Sequence, residues 1–203
     1  ERIEKISNEI CHVLDALQYL HSRGVVHRDV KPSNIMLENG SVVKLMDLGI
    51  ARMSGGNKYS SYGFIGTPQY AAPEQILRDS VDTEINAQTD IYALGVTYYE
   101  LLTGNNPFKS DVEAEMLSRQ IQMKLPYDKV IPRSLFNVIL KATEKTPAKR
   151  YKSATEFKLA IVDALQKKGT GYRFKEWLYR NWKFLTGAAV LAVMALLFII
   201  FAL

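Results

Sequence analysis

A chain of 203 residues, 47% of them apolar, is long enough to bury a substantial core, and one main domain is the expectation. Its single cysteine, Cys11, excludes an internal disulfide and suits a reducing compartment. The formal charge of +5 is local: between Lys167 and Lys183 six cations face one anion, Glu176, so the rest of the chain is neutral and a nucleic-acid partner is not expected.

Residues 1–22 read as an amphipathic helix, because Ile3, Ile6, Ile10, Val13, Leu14, Leu17 and Leu20 recur at three- and four-residue steps. Gly24 ends it, and Val25-Val26 is expected to form a short strand. Ile35–Leu37 and Val42–Leu45 flank Asn39-Gly40, a dipeptide that favours the tight turn of a β-hairpin. The Gly/Ser/Tyr-rich stretch Ser54–Gly66 has no helical period and reads as a loop.

From Thr89 the apolar residues Ile91, Leu94, Val96, Tyr98, Leu101 and Leu102 leave no polar face, which predicts a centrally buried helix stopped by Gly104-Asn105-Asn106-Pro107. Further helices are expected over 111–122 and 134–144. Ser153 and Glu156 form a capping-box pattern before Phe157, Leu159, Ile161 and Leu165. Gly169-Thr170-Gly171 is a short joint. The tail Phe184–Leu203 has no ionisable side chain, and its twenty residues would span about 30 Å as a helix, the thickness of a bilayer core. Trp177, Tyr179, Trp182 and Phe184 at its entrance suit an interfacial aromatic belt. A single membrane span at 184–203 is expected, with a basic linker at 168–183 touching lipid headgroups and the globular part facing the cytoplasm.

Chemistry concentrates in His27-Arg28-Asp29-Val30-Lys31-Pro32-Ser33-Asn34, followed thirteen residues after Asn34 by Asp47-Leu48-Gly49. A carboxylate to orient an attacking hydroxyl, a cation and oxygen donors for Mg²⁺ are the groups phosphoryl transfer from ATP requires. Downstream stand Gly66-Thr67-Pro68-Gln69-Tyr70-Ala71-Ala72-Pro73-Glu74, Asp90 in Thr89–Gly95, and Arg150 in Thr146–Tyr151. His21 and His27 lack Cys/His partners at metal-ligand spacing, so zinc is not expected.

In these motifs residues 1–167 resemble the C-terminal lobe of eukaryotic-like (bacterial-type) serine/threonine protein kinases. The resemblance implies a mainly α lobe with a small β-hairpin, using ATP and Mg²⁺ to phosphorylate Ser/Thr hydroxyls of protein substrates. It implies Asp29 as catalytic base, Lys31 near the γ-phosphate, and Asn34 and Asp47 as metal ligands. Thr67 would bond the catalytic aspartate and lysine, Glu74 would pair with buried Arg150, and Asp90 would hold the catalytic-loop backbone. Arg28 would receive a phosphate on the 54–66 loop, with Ser60 and Ser61 the leading acceptors, ahead of Ser54, Tyr59 and Tyr62.

Leu48 stands where the family favours phenylalanine, and Tyr92 where it favours tryptophan. A Gly-rich nucleotide loop, its strand lysine and the partner glutamate are not in the sequence, so half of an ATP site is expected outside this chain, which alone should not turn ATP over. A membrane-anchored kinase is the first reading, with a kinase dimer as a candidate assembly. The alternative is a non-catalytic, membrane-tethered pseudokinase or peptide-binding module.

Overall fold

The computed structural model describes residues 1–38, 42–47, 67–77 and 85–166. The Asn39-Gly40 turn, Leu48-Gly49, the 54–66 loop with Ser54, Tyr59, Ser60, Ser61 and Tyr62, the linker 168–183 and the apolar tail 184–203 lie outside the described residues. Among the described residues no helix is long and apolar enough to cross a membrane.

Helix α1 spans Arg2–Ser22 and buries Ile10, Val13, Leu14 and Leu17, with Ile3, Ile6 and Leu20 packed at the margin of the core. It closes where Arg23 N and Gly24 N donate to Leu20 O and His21 O. Val25 N also turns back to Leu20 O at 3.0 Å. Val25-Val26 is consequently an extension of the helix exit, not the expected strand. The predicted hairpin is present: β1 (Ile35–Glu38) pairs antiparallel with β2 (Val42–Leu45), Ile35 opposite Leu45 and Glu38 opposite Val42. Two strands cannot make a core of their own, and this pair rests on α1 through β2.

A four-residue helix, α2 (Pro73–Ile76), precedes the central helix α3 (Ala87–Thr103). Asn86 caps α3: its side chain accepts from Gln88 N at 2.9 Å while its own N–H donates to Thr89 Oγ1 at 3.3 Å. Every residue from Thr89 to Tyr99 is buried, which agrees with the absence of a polar face in the sequence. Gly104 then adopts φ 77°, and its N–H bonds Glu100 O at 2.7 Å; a side chain there would be strained.

Helix α4 spans Glu113–Gln122 and α5 spans Arg133–Ala142. A Cβ added at Gly95 would lie 2.8 Å from Thr143 Cγ2 and 3.1 Å from Ala142 Cβ, so glycine lets the end of α5 approach α3. The chain is helical again over 154–166, named α6 here. Ser153 Oγ caps the Glu156 N–H at 3.1 Å, but the Glu156 carboxylate reaches Lys152 N at 2.7 Å rather than Ser153 N. The capping box is thus shifted by one residue. Phe157 and Ile161 are fully buried, as expected, whereas Leu159 is 63% exposed. Ala154 and Ala164 complete the buried stripe instead, because at 100° per residue Leu159 lies away from the Phe157–Ile161–Ala164 line. The compact unit these elements form runs Glu1–Leu165.

Candidate active site

The site is built outward from a carboxylate in the first turn of α3. Asp90 is fully buried, and its oxygens accept from His27 N and Arg28 N, each at 2.8 Å, and from His21 Nε2 at 2.7 Å. A negative charge at a helix N-terminus is also favoured by the helix dipole. These bonds hold Arg28 at φ 71°, a left-handed conformation that a non-glycine residue adopts at a cost of about 1–3 kcal/mol. Gln75 Nε2 adds a donor to Arg28 O at 3.0 Å. The strained turn is therefore clamped from α3 and from α2, and it aims the next residue, Asp29.

Asp29 is 5% exposed. Thr67 Oγ1 donates to its Oδ1 at 2.7 Å, and Asn34 Nδ2 lies 3.2 Å from its Oδ2. Lys31 Nζ is 3.0 Å from Oδ2 and also donates to Thr67 Oγ1 at 2.6 Å. Asn34 Nδ2 reaches the Asp29 carbonyl at 2.8 Å, closing the loop on itself. One carboxylate, one ammonium, one amide and one hydroxyl thus share a single hydrogen-bonded cluster, with Thr67 joining from 38 residues away.

His27 links this loop to the end of β2. Its Nδ1 accepts from Asp29 N at 3.3 Å, which places its proton on Nε2, donating to Met46 O at 2.9 Å. Met46 N in turn donates to Asn34 O at 2.7 Å. Met46 is held on both sides, and Asp47 follows it, exposed and at φ 56°. The bonds of Asn34 to Asp29 run from Nδ2, so its carbonyl oxygen Oδ1 is the atom left for a cation. The Asp47 carboxylate offers a second hard oxygen donor, and such oxygens are the chemistry that suits Mg²⁺. Among the described residues no group of three or more His, Cys, Asp or Glu gathers round a metal position. The two oxygen donors fit a Mg²⁺ that takes much of its coordination from phosphate and water.

Glu74 and Arg150 meet behind the site. Arg150 Nη1 and Nη2 donate to Glu74 Oε1 and Oε2 at 2.6 and 2.8 Å, a bidentate pair with both side chains buried. The remaining guanidinium donors go to the carbonyls of Gln88, Glu144 and Lys145, and Thr89 Oγ1 donates to Glu74 Oε1. Tyr70 OH bonds Glu100 Oε2 at 2.7 Å, and burial pushes this phenol well above its ordinary range.

His21, Gln75 and Glu100 are site residues that motif reading passes over. Their partners lie 69, 47 and 30 residues away. The only local signal for His21 is its position in the last turn of α1, just before the loop that carries Asp29.

A helical lobe whose strained loop carries one carboxylate bonded to lysine, asparagine and threonine is a kinase-like lobe. The sequence matches the protein kinase domain family over residues 2–160, and the chain belongs to that family. It is 41% identical over 166 residues to the serine/threonine-protein kinase Pkn1 of Myxococcus xanthus, covering 77% of this chain and 23% of that protein. It is 38% identical over 164 residues to serine/threonine-protein kinase PknB of Mycobacterium tuberculosis, covering 75% and 25%. A probable serine/threonine-protein kinase PknB of Bifidobacterium longum is 38% identical over 157 residues, covering 74% and 22%. The matched part thus amounts to about a quarter of each of these relatives.

Proposed function

We propose that this chain is the catalytic lobe of a membrane-anchored serine/threonine protein kinase that transfers the ATP γ-phosphoryl group to protein hydroxyls. The observation that carries the reading is the cluster on Asp29, where Lys31, Asn34 and Thr67 are all within hydrogen-bond reach. Asp29 would accept the proton of the substrate hydroxyl as its oxygen bonds to phosphorus. Thr67 orients the carboxylate and lines the entry for a small alcohol. Lys31 offsets the negative charge that gathers there. Asn34 and Asp47 would hold the metal. Bound Mg²⁺–ATP would supply the phosphoryl group and neutralise charge on the departing phosphates.

Anchoring is supported by the apolar stretch Phe184–Leu203 and the six cations of 167–183 before it, which favour a cytoplasmic lobe lying near anionic headgroups. Regulation through phosphate on Ser60 or Ser61, read by Arg28, is supported by the position of Arg28 beside Asp29.

The test is phosphorylation of a Ser/Thr protein substrate with Mg²⁺ and ATP by the protein as encoded. Asp29→Asn should lower kcat by about 10²–10⁴-fold. Undiminished turnover would overturn the assignment. Carbonate extraction and protease protection test the anchor: release by salt alone would reduce the tail to a peripheral contact.

A further inference from the structure

The hydroxyl of Tyr92, fully buried on α3, is bonded from two other parts of the lobe. It donates to Gln120 Oε1 of α4 at 2.6 Å, and Lys145 Nζ lies 2.7 Å from it on the other side. Gln120, itself fully buried, carries the chain onward: its Nε2 donates to Pro68 O at 3.4 Å. Pro68 follows Thr67, the residue bonded to Asp29. One turn earlier on α4, Leu117 packs against Ala71, with Ile76 beside them. Helix α4 is therefore the platform for residues 67–77, and the Tyr92 hydroxyl ties that platform to the core.

We propose that Lys145, Tyr92 and Gln120 form one relay, in which Lys145 is a positioning residue that decides whether the Tyr92 proton points to Gln120 and so how firmly the 67–77 segment is held. Its consequence for substrate rests on the kinase reading above. An ammonium has three donors and no lone pair, so a charged Lys145 can only donate to Tyr92, and the phenol proton must go to Gln120 Oε1. A neutral amine has a lone pair and competes for that proton, leaving Gln120 Oε1 without its donor.

The surroundings bring this change into reach. Lys145 sits over the rings of Tyr92 and Phe108, at 5.1 and 4.7 Å. Burial, reinforced by Arg150 and Lys124 and opposed by Glu144, pulls its amine down to about 7. Arg150 itself lies over the same Tyr92 ring at 4.8 Å and is paired with Glu74. The segment should be held more firmly at about pH 6 than at about pH 8, on either side of that value.

The experiment is hydrogen–deuterium exchange on the protein as encoded, with rates corrected for the intrinsic effect of pH. In the wild type, peptides within 69–77 should lose about fivefold protection between about pH 6 and about pH 8, the effect of one lost hydrogen bond. Lys145→Met should stay protected at both pH values, and Tyr92→Phe should be unprotected at both. Peptides of α1 and α5 should show no comparable loss of protection between the two pH values. In parallel, KM for the protein substrate should follow the exchange while KM for ATP stays constant.

A pH step that persists in Lys145→Met, or Tyr92→Phe protection equal to wild type, would overturn the relay. If Tyr92→Phe loosens α1 and α5 as well, Lys145→Met alone decides, since it removes no buried acceptor. Exchange differences without any phosphorylation would support the relay and refute the kinase reading.

Discussion

The Thr67 hydroxyl donates to Asp29 Oδ1 at 2.7 Å while accepting from Lys31 Nζ at 2.6 Å, so one small side chain joins a carboxylate to the cation beside it. Thr67→Val keeps the shape and removes both bonds. We expect kcat/KM for a protein substrate to fall about tenfold to a hundredfold, the effect of losing a hydrogen bond to a charged group. Thr67→Ser should retain most activity. Equal rates for valine and threonine, in a steady-state phosphorylation assay, would remove Thr67 from the site.

Glu74 and Arg150 are buried together, with side-chain exposures of 1% and 0%. Arg150→Met leaves the carboxylate buried without its cation, and thermal or urea unfolding should show a loss of about 3–5 kcal/mol. Replacing both residues by apolar side chains of similar size should cost much less than that single change, because the desolvated charge is gone. A double variant no better than Arg150→Met would contradict this.

Asp90→Ala would strip acceptors from His27 N, Arg28 N and His21 Nε2 at once. Each donor left unsatisfied costs about 1–3 kcal/mol, and of the two clamps on the positive-φ turn at Arg28 only the bond from Gln75 Nε2 to Arg28 O would remain. Phosphorylation should be lost even where circular dichroism reports a native helix content. An active Asp90→Ala protein would show that the turn is stable without its anchor.

Lys145 has a consequence for stability as well as for geometry. Its amine is lowered from 10.5 to about 7, so between these values the unfolded chain binds a proton that the folded chain has released. Stability should therefore rise as pH increases from about 7 to about 10.5, with the full penalty present below about 7. Lys145→Met should be at least as stable as wild type at pH 6 and should lose this slope. Denaturant midpoints measured across that range check it; parallel curves for the two proteins would refute it.

Much of the site is legible in the sequence because Asp29, Lys31 and Asn34 lie within six residues and only a loop can bring them onto one face. Glu74 and Arg150 are 76 residues apart, and resemblance alone relates them in the sequence. The partners of His21 and Lys145 are not legible at all. A histidine at a helix end and a lysine two residues ahead of a proline look like solvated residues until α3 is placed against them.

Errors in the fold have equally local causes. Val25 and Val26 have β propensity, yet the Val25 N–H returns to α1. Leu159 satisfies a helical spacing but points out of the line set by Phe157 and Ile161. Propensity and spacing describe what a segment tolerates; tertiary packing decides which face turns inward.

Asp90 lies in a helix that is buried on every side, and this gives the strained turn at Arg28 no melting transition of its own. A loop fastened only at the surface would soften before the core does. This one is bonded to the part of the lobe that should open last. Heat inactivation and loss of the native core should then coincide, and a substitution far from Asp29 that weakens the core would be read as lost activity at the same temperature.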